Sequence, residues 1–321
     1  MAKPLPSLLK MTPYFRPVVW GGRNLESAYA KPLPPDEHIG ESFEVSAVPE
    51  MESRVASGPL KGVSVQELVR AYGDDFLGKE VHQRYKGEFP LLIKLLDAND
   101  DLSIQVHPDD TYAREKQLGS FGKMEAWYVL RSDNGKVASG LREGVDQHTL
   151  QNALDAGTTE EVVEFYPVTE GDIVYLKPGS VHALCRGVMV YEVQQSSSIT
   201  FRLYDYNRPE ADGSLRELHI DQSMDVINFG EPAIVPAPAT SSVAVSSEHF
   251  VLEQFDEAAS RQHDAKESFA CITLVSGSVV IGADGEAVSL IPGDTAVVPA
   301  DRSYEITPDQ PSKYLISSAP D

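Results

Sequence analysis

Short apolar runs separated by glycine, proline and aspartate recur along most of this chain of 321 residues. Closely spaced runs of this kind, rich in β-branched and aromatic residues, are typical of the strands of a β-sandwich or β-barrel. The clearest runs are FEVSAV from Phe43, LLIKLL from Leu91, LSIQVH from Leu102, AWYVL from Ala126, IVYLK from Ile173, VMVYEVQQ from Val188 and ITFRLYDY from Ile199. The sequence therefore predicts an all-β fold.

Helical patterns are fewer than strand patterns. Ser64 and Glu67 have the spacing of a capping box, and apolar residues follow at helical intervals, which predicts a helix near 64–78. A second helical pattern covers 149–164 and is interrupted by Gly157. Strands and helices do not alternate as in a parallel α/β sheet, so the helices are predicted as a small insertion in a β fold.

A change of composition suggests a domain boundary. The segment 231–240 is rich in proline and alanine and nearly uncharged, as linkers often are. It predicts one domain over 1–235 and a second over 236–321. A turn–strand unit at Gly171–Pro178 is echoed at Gly293–Pro299, which suggests a duplicated β-barrel; the alternative is two unrelated units of a common kind.

The charge balance excludes some classes of partner. Acidic residues number 49 and basic residues 27, giving a net charge of −22, so neither nucleic acid nor an anionic membrane surface is an expected partner. The sequence shows no signal peptide and no apolar run of transmembrane length. With only two cysteines, we expect a cytoplasmic protein with reduced thiols.

Polar side chains on apolar strands are the candidates for chemistry. In the run 102–108, strand alternation places Ser103, Gln105 and His107 on one face and apolar residues on the other. Polar groups in apolar surroundings need partners. The alternative is the solvated face of an edge strand, which the following proline would favour.

Two further segments add potential metal ligands. Lys123 and Glu125 alternate onto one face at the start of the strongly apolar run AWYVL, where an unpaired carboxylate would be costly. His182 follows a Pro-Gly turn. The alternatives are an exposed Lys–Glu pair and a hydrogen-bonded structural histidine.

Together these residues form a candidate metal site. His107, Glu125 and His182 supply two imidazoles and a carboxylate, and Gln105 offers an amide oxygen. Such a set suits a catalytic Zn²⁺ or a non-haem Fe²⁺. Cys185 is a conceivable additional ligand, although a small buried thiol is the simpler interpretation.

Basic residues within apolar runs predict an anion site. Lys94 and Arg202 each lie among apolar neighbours, and Lys123 is the third member of this set. Their charges must reach water, a carboxylate or an anionic ligand. The alternative for each is a structural ion pair, with Glu192 as an obvious partner.

The same segments resemble a known family. PLLIKLLDANDDLSIQVHPDD, GKMEAWYVL, LKPGSVHAL and YEVQQSSSITFRLYDYNR are together similar to the short bacterial form of the type I mannose-6-phosphate isomerases, as are PYFRPVVWGGRNL and GESFEVSA. The likeness covers about the first 210 residues well and the remainder loosely.

The family is a zinc-dependent cupin family. The resemblance therefore implies two cupin-like β-barrel (jelly-roll) domains with a small helical insertion, the second of them degenerate. It also implies one Zn²⁺ per chain, bound by Gln105, His107, Glu125 and His182.

The resemblance also carries roles onto other residues. Arg202 matches the arginine regarded as catalytic, and Glu192 matches an active-site glutamate. Ser103, Lys94 and Lys123 match positions close to the sugar phosphate. The general acid or base stays open among Glu192, Lys123 and a zinc-bound water, so Arg202, Glu192 and Lys123 form the expected catalytic set.

The implied activity is interconversion of mannose 6-phosphate and fructose 6-phosphate through an enediol. The expected partner is a small sugar phosphate, and the chain is expected to be a monomer or a homodimer. Two alternatives remain at this stage: an Fe-dependent cupin oxygenase, and a cupin that binds a sugar phosphate without turnover.

Overall fold

The computed structural model describes residues 3–210 and 212–320. Strands hold 40% of the residues and helices 16%, which confirms that the fold is mostly β. The strands are β1 (Leu9–Thr12), β2 (Tyr14–Gly22), β3 (Ile39–Val45), β4 (Arg54–Val55), β5 (Leu91–Ala98), β6 (Ile104–Val106), β7 (Glu125–Ser132), β8 (Lys136–Leu141), β9 (Val163–Pro167), β10 (Asp172–Leu176), β11 (His182–Leu184), β12 (Val188–Gln195), β13 (Phe201–Tyr204), β14 (Ala237–Pro238), β15 (Val243–Ser246), β16 (Val251–Glu257), β17 (Arg261–Ala265), β18 (Ala270–Ser276), β19 (Val279–Ala283), β20 (Glu286–Leu290), β21 (Thr295–Val298), β22 (Arg302–Pro308) and β23 (Ser312–Ser318).

These strands pair antiparallel in four sheets, and over the described residues none of the sheets closes on itself. The site sheet has the order β13-β6-β11-β8-β9, and the central sheet has the order β14-β10-β7-β12-β5-β3-β2. The tail sheet has the order β15-β16-β23-β18-β21-β1-β4, and the outer sheet has the order β17-β22-β19-β20.

The sheets stack in layers with apolar cores between them. One core joins the site sheet to the central sheet, the largest joins the central sheet to the tail sheet, and another joins the tail sheet to the outer sheet. Representative pairs across these cores are Trp127 with Leu184, Tyr191 with Leu315, and Ile272 with Ile306. Burial of apolar area on this scale is the main stabilising contribution to such a fold.

The central sheet is covered on both faces, and this explains its sequence. In β5, Leu91, Ile93 and Leu95 face the tail sheet, whereas Lys94 faces the site sheet. A strand buried on both faces reads as a nearly continuous apolar run. A lysine in such a run is therefore held in the interior between two sheets.

The helices cover the two sides of this stack. They are α1 (Asn24–Tyr29), α2 (Val65–Tyr72), α3 (Asp74–Leu77), α4 (Lys79–Arg84), α5 (Asp110–Glu115), α6 (Gln147–Ala156) and α7 (Ile220–Val226). Helices α2, α3 and α4 pack on the core between the central and tail sheets, and α6 and α7 pack on the outer face of the site sheet. No helix within 3–210 or 212–320 is long and apolar enough to cross a membrane.

The predicted helix near 64–78 is confirmed at its start but divided by Gly73 into α2 and α3, and the helix predicted from 149 begins two residues earlier, at Gln147. Ser64 and Glu67 form the predicted capping box at the start of α2. Gly157 ends α6 with a φ of 70°, a conformation that glycine adopts readily. The predicted helical extension to residue 164 is wrong, because Thr159–Val162 forms a 3₁₀ turn and β9 begins at Val163.

The two ends of the chain share a sheet. Leu9 of β1 pairs with Val297 of β21, and Met11 of β1 pairs with Val55 of β4. Strands β1 and β4 therefore extend the tail sheet. Conversely, β14 lies beyond residue 235 and pairs with β10 of the central sheet. The tail sheet and the central sheet thus each contain strands from both sides of that residue.

Candidate metal centre

Neighbouring strands of the site sheet place polar residues in a row. Gln105 on β6 lies opposite His182 on β11 on one side and opposite Arg202 on β13 on the other. Directly opposed residues of antiparallel strands present their side chains on the same face. Since β6 is an interior strand, the alternative of a solvated edge strand is wrong.

Three buried ligand groups converge between the site sheet and the central sheet. Oε2 of Glu125, on β7, lies 3.6 Å from Nε2 of His107, and Oε1 lies 3.2 Å from Nε2 of His182. Nε2 of Gln105 lies 3.3 Å from Nε2 of His182. Side-chain exposures of Glu125, His107 and His182 are 0%, 2% and 1%, so the cluster is closed to bulk water.

The hydrogen bonding of this cluster leaves acceptors facing one another. Nδ1 of His182 lies 2.9 Å from the backbone oxygen of Ser180 and donates to it, which leaves Nε2 as the atom that can bind a metal, 3.2 Å from Oε1 of Glu125. Oε1 of Glu125 receives no hydrogen bond within the described part of the chain, whereas Oε2 lies 2.7 Å from the ammonium of Lys123. Buried acceptors that face acceptors need a cation between them, and metal-ligating histidines typically donate their other N–H to a backbone oxygen.

The charge states also suit a metal. Burial and the adjacent Lys123 lower the pKa of His107 well below its usual value, which keeps its imidazole neutral. Burial alone would raise the pKa of Glu125, but the adjacent ammonium of Lys123 holds it well below its usual value. Neutral imidazole and ionised carboxylate are the forms that bind metals.

The donor set therefore fits a divalent cation. His107, Glu125 and His182 each offer a ligand atom, and these atoms lie within 4.8 Å of one another. Two imidazoles and a carboxylate, with an amide oxygen nearby, match the catalytic zinc and non-haem iron sites of proteins. Cys185 is buried outside the cluster, and burial raises its pKa to about 12, so it is an inert thiol.

A cavity adjoins the cluster and is markedly basic. Its charged lining comprises five basic and two acidic side chains in a chain of net charge −22. Gln105, Ser103 and Trp127 also line it, which connects it to the metal cluster. The charged residues are Arg16, Lys94, Lys123, Arg202, Arg216, Glu41 and Glu192. A cavity of this composition suits an anionic ligand.

Lys94 is fixed in this cavity by carboxylates. Its Nζ lies 3.3 Å from Oε1 of Glu41 and 3.2 Å from Oε1 of Glu192. Burial alone would lower the pKa of Lys94, but the two carboxylates raise it, so the amine stays charged. Glu192 is held in turn by Nε1 of Trp127 at 2.8 Å. The ion-pair alternative predicted for Lys94 is therefore confirmed, and the lysine still faces the cavity.

The Trp127–Glu192 hydrogen bond gives a stability prediction. We expect Trp127→Phe to lower the free energy of unfolding by about 1–3 kcal/mol, because a buried carboxylate oxygen loses its donor. The measurement is urea denaturation followed by circular dichroism.

Trp20→Phe is the matched control. Trp20 is the other tryptophan of the chain and is also buried, and its Nε1 makes no hydrogen bond to a described residue. We expect a smaller loss for this variant. Equal losses for the two variants would show that the hydrogen bond contributes nothing measurable.

Nine of the residues singled out from the sequence lie in this one region, and Cys185 lies outside it. Gln105, His107, Glu125 and His182 surround the candidate metal position, and Lys94, Ser103, Lys123, Glu192 and Arg202 line the adjoining cavity. The alternative of an exposed Lys123–Glu125 pair is wrong, since the two groups are buried and 2.7 Å apart.

Sequence reasoning missed three charged residues of the cavity. Glu41 lies in a fully buried strand, and a carboxylate in the run ESFEV could have been noticed as costly without a partner. Arg16 lies in the segment PYFRPVVWG, and Arg216 lies between β13 and α7. The local sequence marks neither arginine as a cavity residue, because Arg16 is on a half-exposed strand and Arg216 is in a loop.

Comparisons with known proteins agree with this geometry. A family model of the type I phosphomannose isomerase catalytic domain matches residues 8–136. The mannose-6-phosphate isomerase of Streptococcus mutans is 35% identical over 287 residues, which cover 88% of this chain and 89% of that protein.

Solved structures show the same fold. The mannose 6-phosphate isomerase of Bacillus subtilis superposes with a TM-score of 0.86 at 30% identity, over 97% of this chain and 99% of that one. The apo form of the enzyme from Salmonella typhimurium, at 18% identity, shares the fold with a TM-score of 0.77 over 98% of this chain. With sequence identity of this level along nearly its whole length, the chain belongs to the type I phosphomannose isomerase family.

Proposed function

We propose that this protein interconverts mannose 6-phosphate and fructose 6-phosphate through an enediol. The observation that carries the proposal is the buried His107–Glu125–His182 cluster beside a basic cavity. An aldose–ketose isomerisation moves a proton between C1 and C2 and develops negative charge on the sugar oxygens. A buried cation site next to fixed positive side chains is suited to stabilising that charge.

Gln105, His107, Glu125 and His182 are proposed to hold one Zn²⁺ per chain. When bound, zinc would polarise the carbonyl and hydroxyl oxygens of the sugar without changing its own oxidation state. The amide of Gln105 would present its oxygen to the ion, and the Ser180 carbonyl would keep the His182 ring in the required tautomer.

Arg202, Glu192 and Lys123 are proposed as the catalytic residues. Arg202 lies beside Gln105 in the site sheet, so its permanent positive charge would stabilise the negative charge of the enediolate. Glu192 and Lys123 are titratable groups that line the cavity, and they are proposed to carry the proton. A positioned acid or base typically accelerates such a step by about 10²–10⁴-fold.

Lys94, Ser103 and Lys123 are proposed to contact the substrate. Ser103 Oγ lies 3.5 Å from Oε1 of Gln105, at a position from which it reaches a sugar hydroxyl near the metal. Lys94 is held by Glu41 and Glu192 with its amine toward the cavity. A fixed amine costs less entropy to engage than a mobile one.

The proposal extends to the architecture. The site and central sheets would form one cupin-like jelly-roll barrel within 1–235, and the tail and outer sheets would form a second within 236–321. The apolar cores between these sheet pairs support this division, with β14 added to the first unit and β1 and β4 added to the second. A cytoplasmic monomer or homodimer is part of the proposal, and it agrees with two buried free thiols.

The test is direct conversion of mannose 6-phosphate to fructose 6-phosphate by the purified zinc-loaded protein in deuterated water. We expect turnover of about 1–10³ per second. We also expect deuterium in the product, because the proton removed from the sugar passes to a titratable group, which exchanges it with the deuterated water before returning it.

Oxygen uptake and ligand binding are measured in the same sample. Oxygen consumption would favour the iron oxygenase alternative. Binding of mannose 6-phosphate without turnover would favour the non-catalytic alternative.

A further inference from the structure

The two cavity lysines are already paired with carboxylates of the protein. Lys94 lies between Glu41 and Glu192, at 3.3 and 3.2 Å. Lys123 lies 2.7 Å from Oε2 of Glu125. The carboxylates are nearly inaccessible, with side-chain exposures of 9%, 3% and 0%, so solvent does not weaken these pairs. Lys94 therefore has little positive charge left for a dianionic phosphate, and Lys123 lies against the metal cluster, 3.1 Å from Nε2 of His107.

Arg202 differs from the lysines in this respect. Arg202 makes no ion pair with any carboxylate of the described residues, and its Nη1 donates to the backbone oxygen of Glu217 at 3.2 Å. Its position beside Gln105 places it at the metal end of the cavity. Arg202 is thus positioned for the reacting carbons of a sugar, while the phosphate is at the opposite end of the sugar chain.

Arg16 is held along one edge by Glu41, and Arg216 is held along one edge by Asp205, with Oε1 of Glu210 3.8 Å from its Nε. Nη1 of Arg16 donates to Oε2 of Glu41 at 2.8 Å, and Nε of Arg216 donates to Oδ2 of Asp205 at 2.6 Å while Nη2 donates to Oδ1. Nε and Nη2 of Arg16, and Nη1 of Arg216, make no hydrogen bond to another described residue. Each guanidinium is therefore oriented by a carboxylate and keeps donors free.

The three arginines are near enough to interact. Burial, and then repulsion from Arg216 and from Arg16, lower the pKa of Arg202. Like charges gathered in one cavity of an acidic protein are unfavourable without an anion. Arg16 is the outermost of them, because 47% of its side chain is exposed, so the group of positive charges continues to the mouth of the cavity.

We propose that Arg16 and Arg216 bind the phosphate group of the sugar phosphate at the mouth of the cavity, and that they select phosphorylated over neutral sugars. Guanidinium groups bind phosphate through paired N–H donors, and such charged hydrogen bonds are stronger than neutral ones. This inference rests on the proposed function, since it places the far end of the same substrate.

The test compares Arg16→Gln and Arg216→Gln with the zinc-loaded parent protein. For mannose 6-phosphate we expect KM to rise by about 10- to 100-fold with little change in kcat, because a charged hydrogen bond present in both ground and transition states is lost. For neutral mannose we expect kcat/KM to stay within about twofold. Binding of inorganic phosphate, measured by calorimetry, should weaken by a similar factor of about 10 to 100.

Arg261→Gln is the matched control. Arg261 lies on β17 of the outer sheet. Because 48% of its side chain is exposed and it pairs with Glu257 at 2.6 Å, it resembles Arg16 in exposure and ion pairing. We expect no change in KM or in phosphate binding. Arg16→Gln is the more informative variant, since Glu41 keeps Lys94 as its partner, whereas Arg216→Gln removes one of the partners of a buried aspartate.

The possible outcomes separate this inference from the proposed function. An active parent protein whose two variants keep the parental KM and phosphate affinity would overturn the phosphate assignment and leave the isomerase proposal intact. A parent protein that does not convert mannose 6-phosphate would remove the proposed function. Calorimetry would then still decide the phosphate site, with weaker binding by Arg16→Gln supporting it and equal binding overturning it.

Discussion

Replacing His182 with alanine is expected to remove the metal and to lower kcat/KM for mannose 6-phosphate by at least about a thousandfold. The imidazole supplies one of only two nitrogen ligands, and its Nε2 lies 3.2 Å from the carboxylate that would share the ion. Loss of the ion removes the stabilisation of developing charge, and single contacts of that kind already contribute about 10²–10³-fold. Metal content by mass spectrometry and turnover are measured on the same preparation.

His263→Ala is the control for this experiment. His263 lies on β17 in the tail, and its Nε2 is 3.0 Å from the hydroxyl of Tyr314, so it is also a histidine that contacts another side chain. We expect this variant to keep its metal and its turnover. A His182→Ala protein with full metal content and parental turnover would contradict the assignment of His182 as a ligand.

Replacing Arg202 with lysine is expected to lower kcat by about 10²–10³-fold while the metal content stays unchanged. Lysine keeps the positive charge but lacks the planar fork of donors that a guanidinium presents to an enediolate. Arg202 has no carboxylate partner among the described residues, so its removal breaks no ion pair of the fold. The measurement is steady-state kinetics with thermal unfolding as a check.

Arg302→Gln serves as the control, because Arg302 belongs to β22 of the outer sheet and pairs with Asp284 at 3.3 Å. We expect parental kinetics for it. If Arg202→Lys instead raised KM and left kcat unchanged, Arg202 would be a ground-state binding residue, and its proposed catalytic role would be wrong.

The strands and the positions of the polar side chains could be predicted from the sequence for one physical reason. A charged or hydrogen-bonding side chain in a buried strand is costly without a partner. Lys94 within LLIKLL and Glu125 before AWYVL are therefore conspicuous without any knowledge of the fold. The alternation rule then placed Gln105 on a different face from Ile104, and the structure confirms this.

The interaction partners of those residues could not be predicted in the same way. Glu41 contacts Lys94 because β3 lies beside β5 in the central sheet. The order of strands in a sheet cannot be predicted from local composition. β1 joins β21 across nearly the whole chain for a similar reason. Which basic residues keep unneutralised charge depends on such pairings, and the sequence alone therefore could not rank the lysines against the arginines.

The central claim is that a metal held by Gln105, His107, Glu125 and His182 is required for isomerisation of mannose 6-phosphate. The most direct measurement is turnover and metal content of one preparation before chelation, after chelation, and after zinc is restored. We predict that turnover disappears with the metal and returns in proportion to bound zinc. Turnover that persists after the metal has demonstrably been removed would contradict the account.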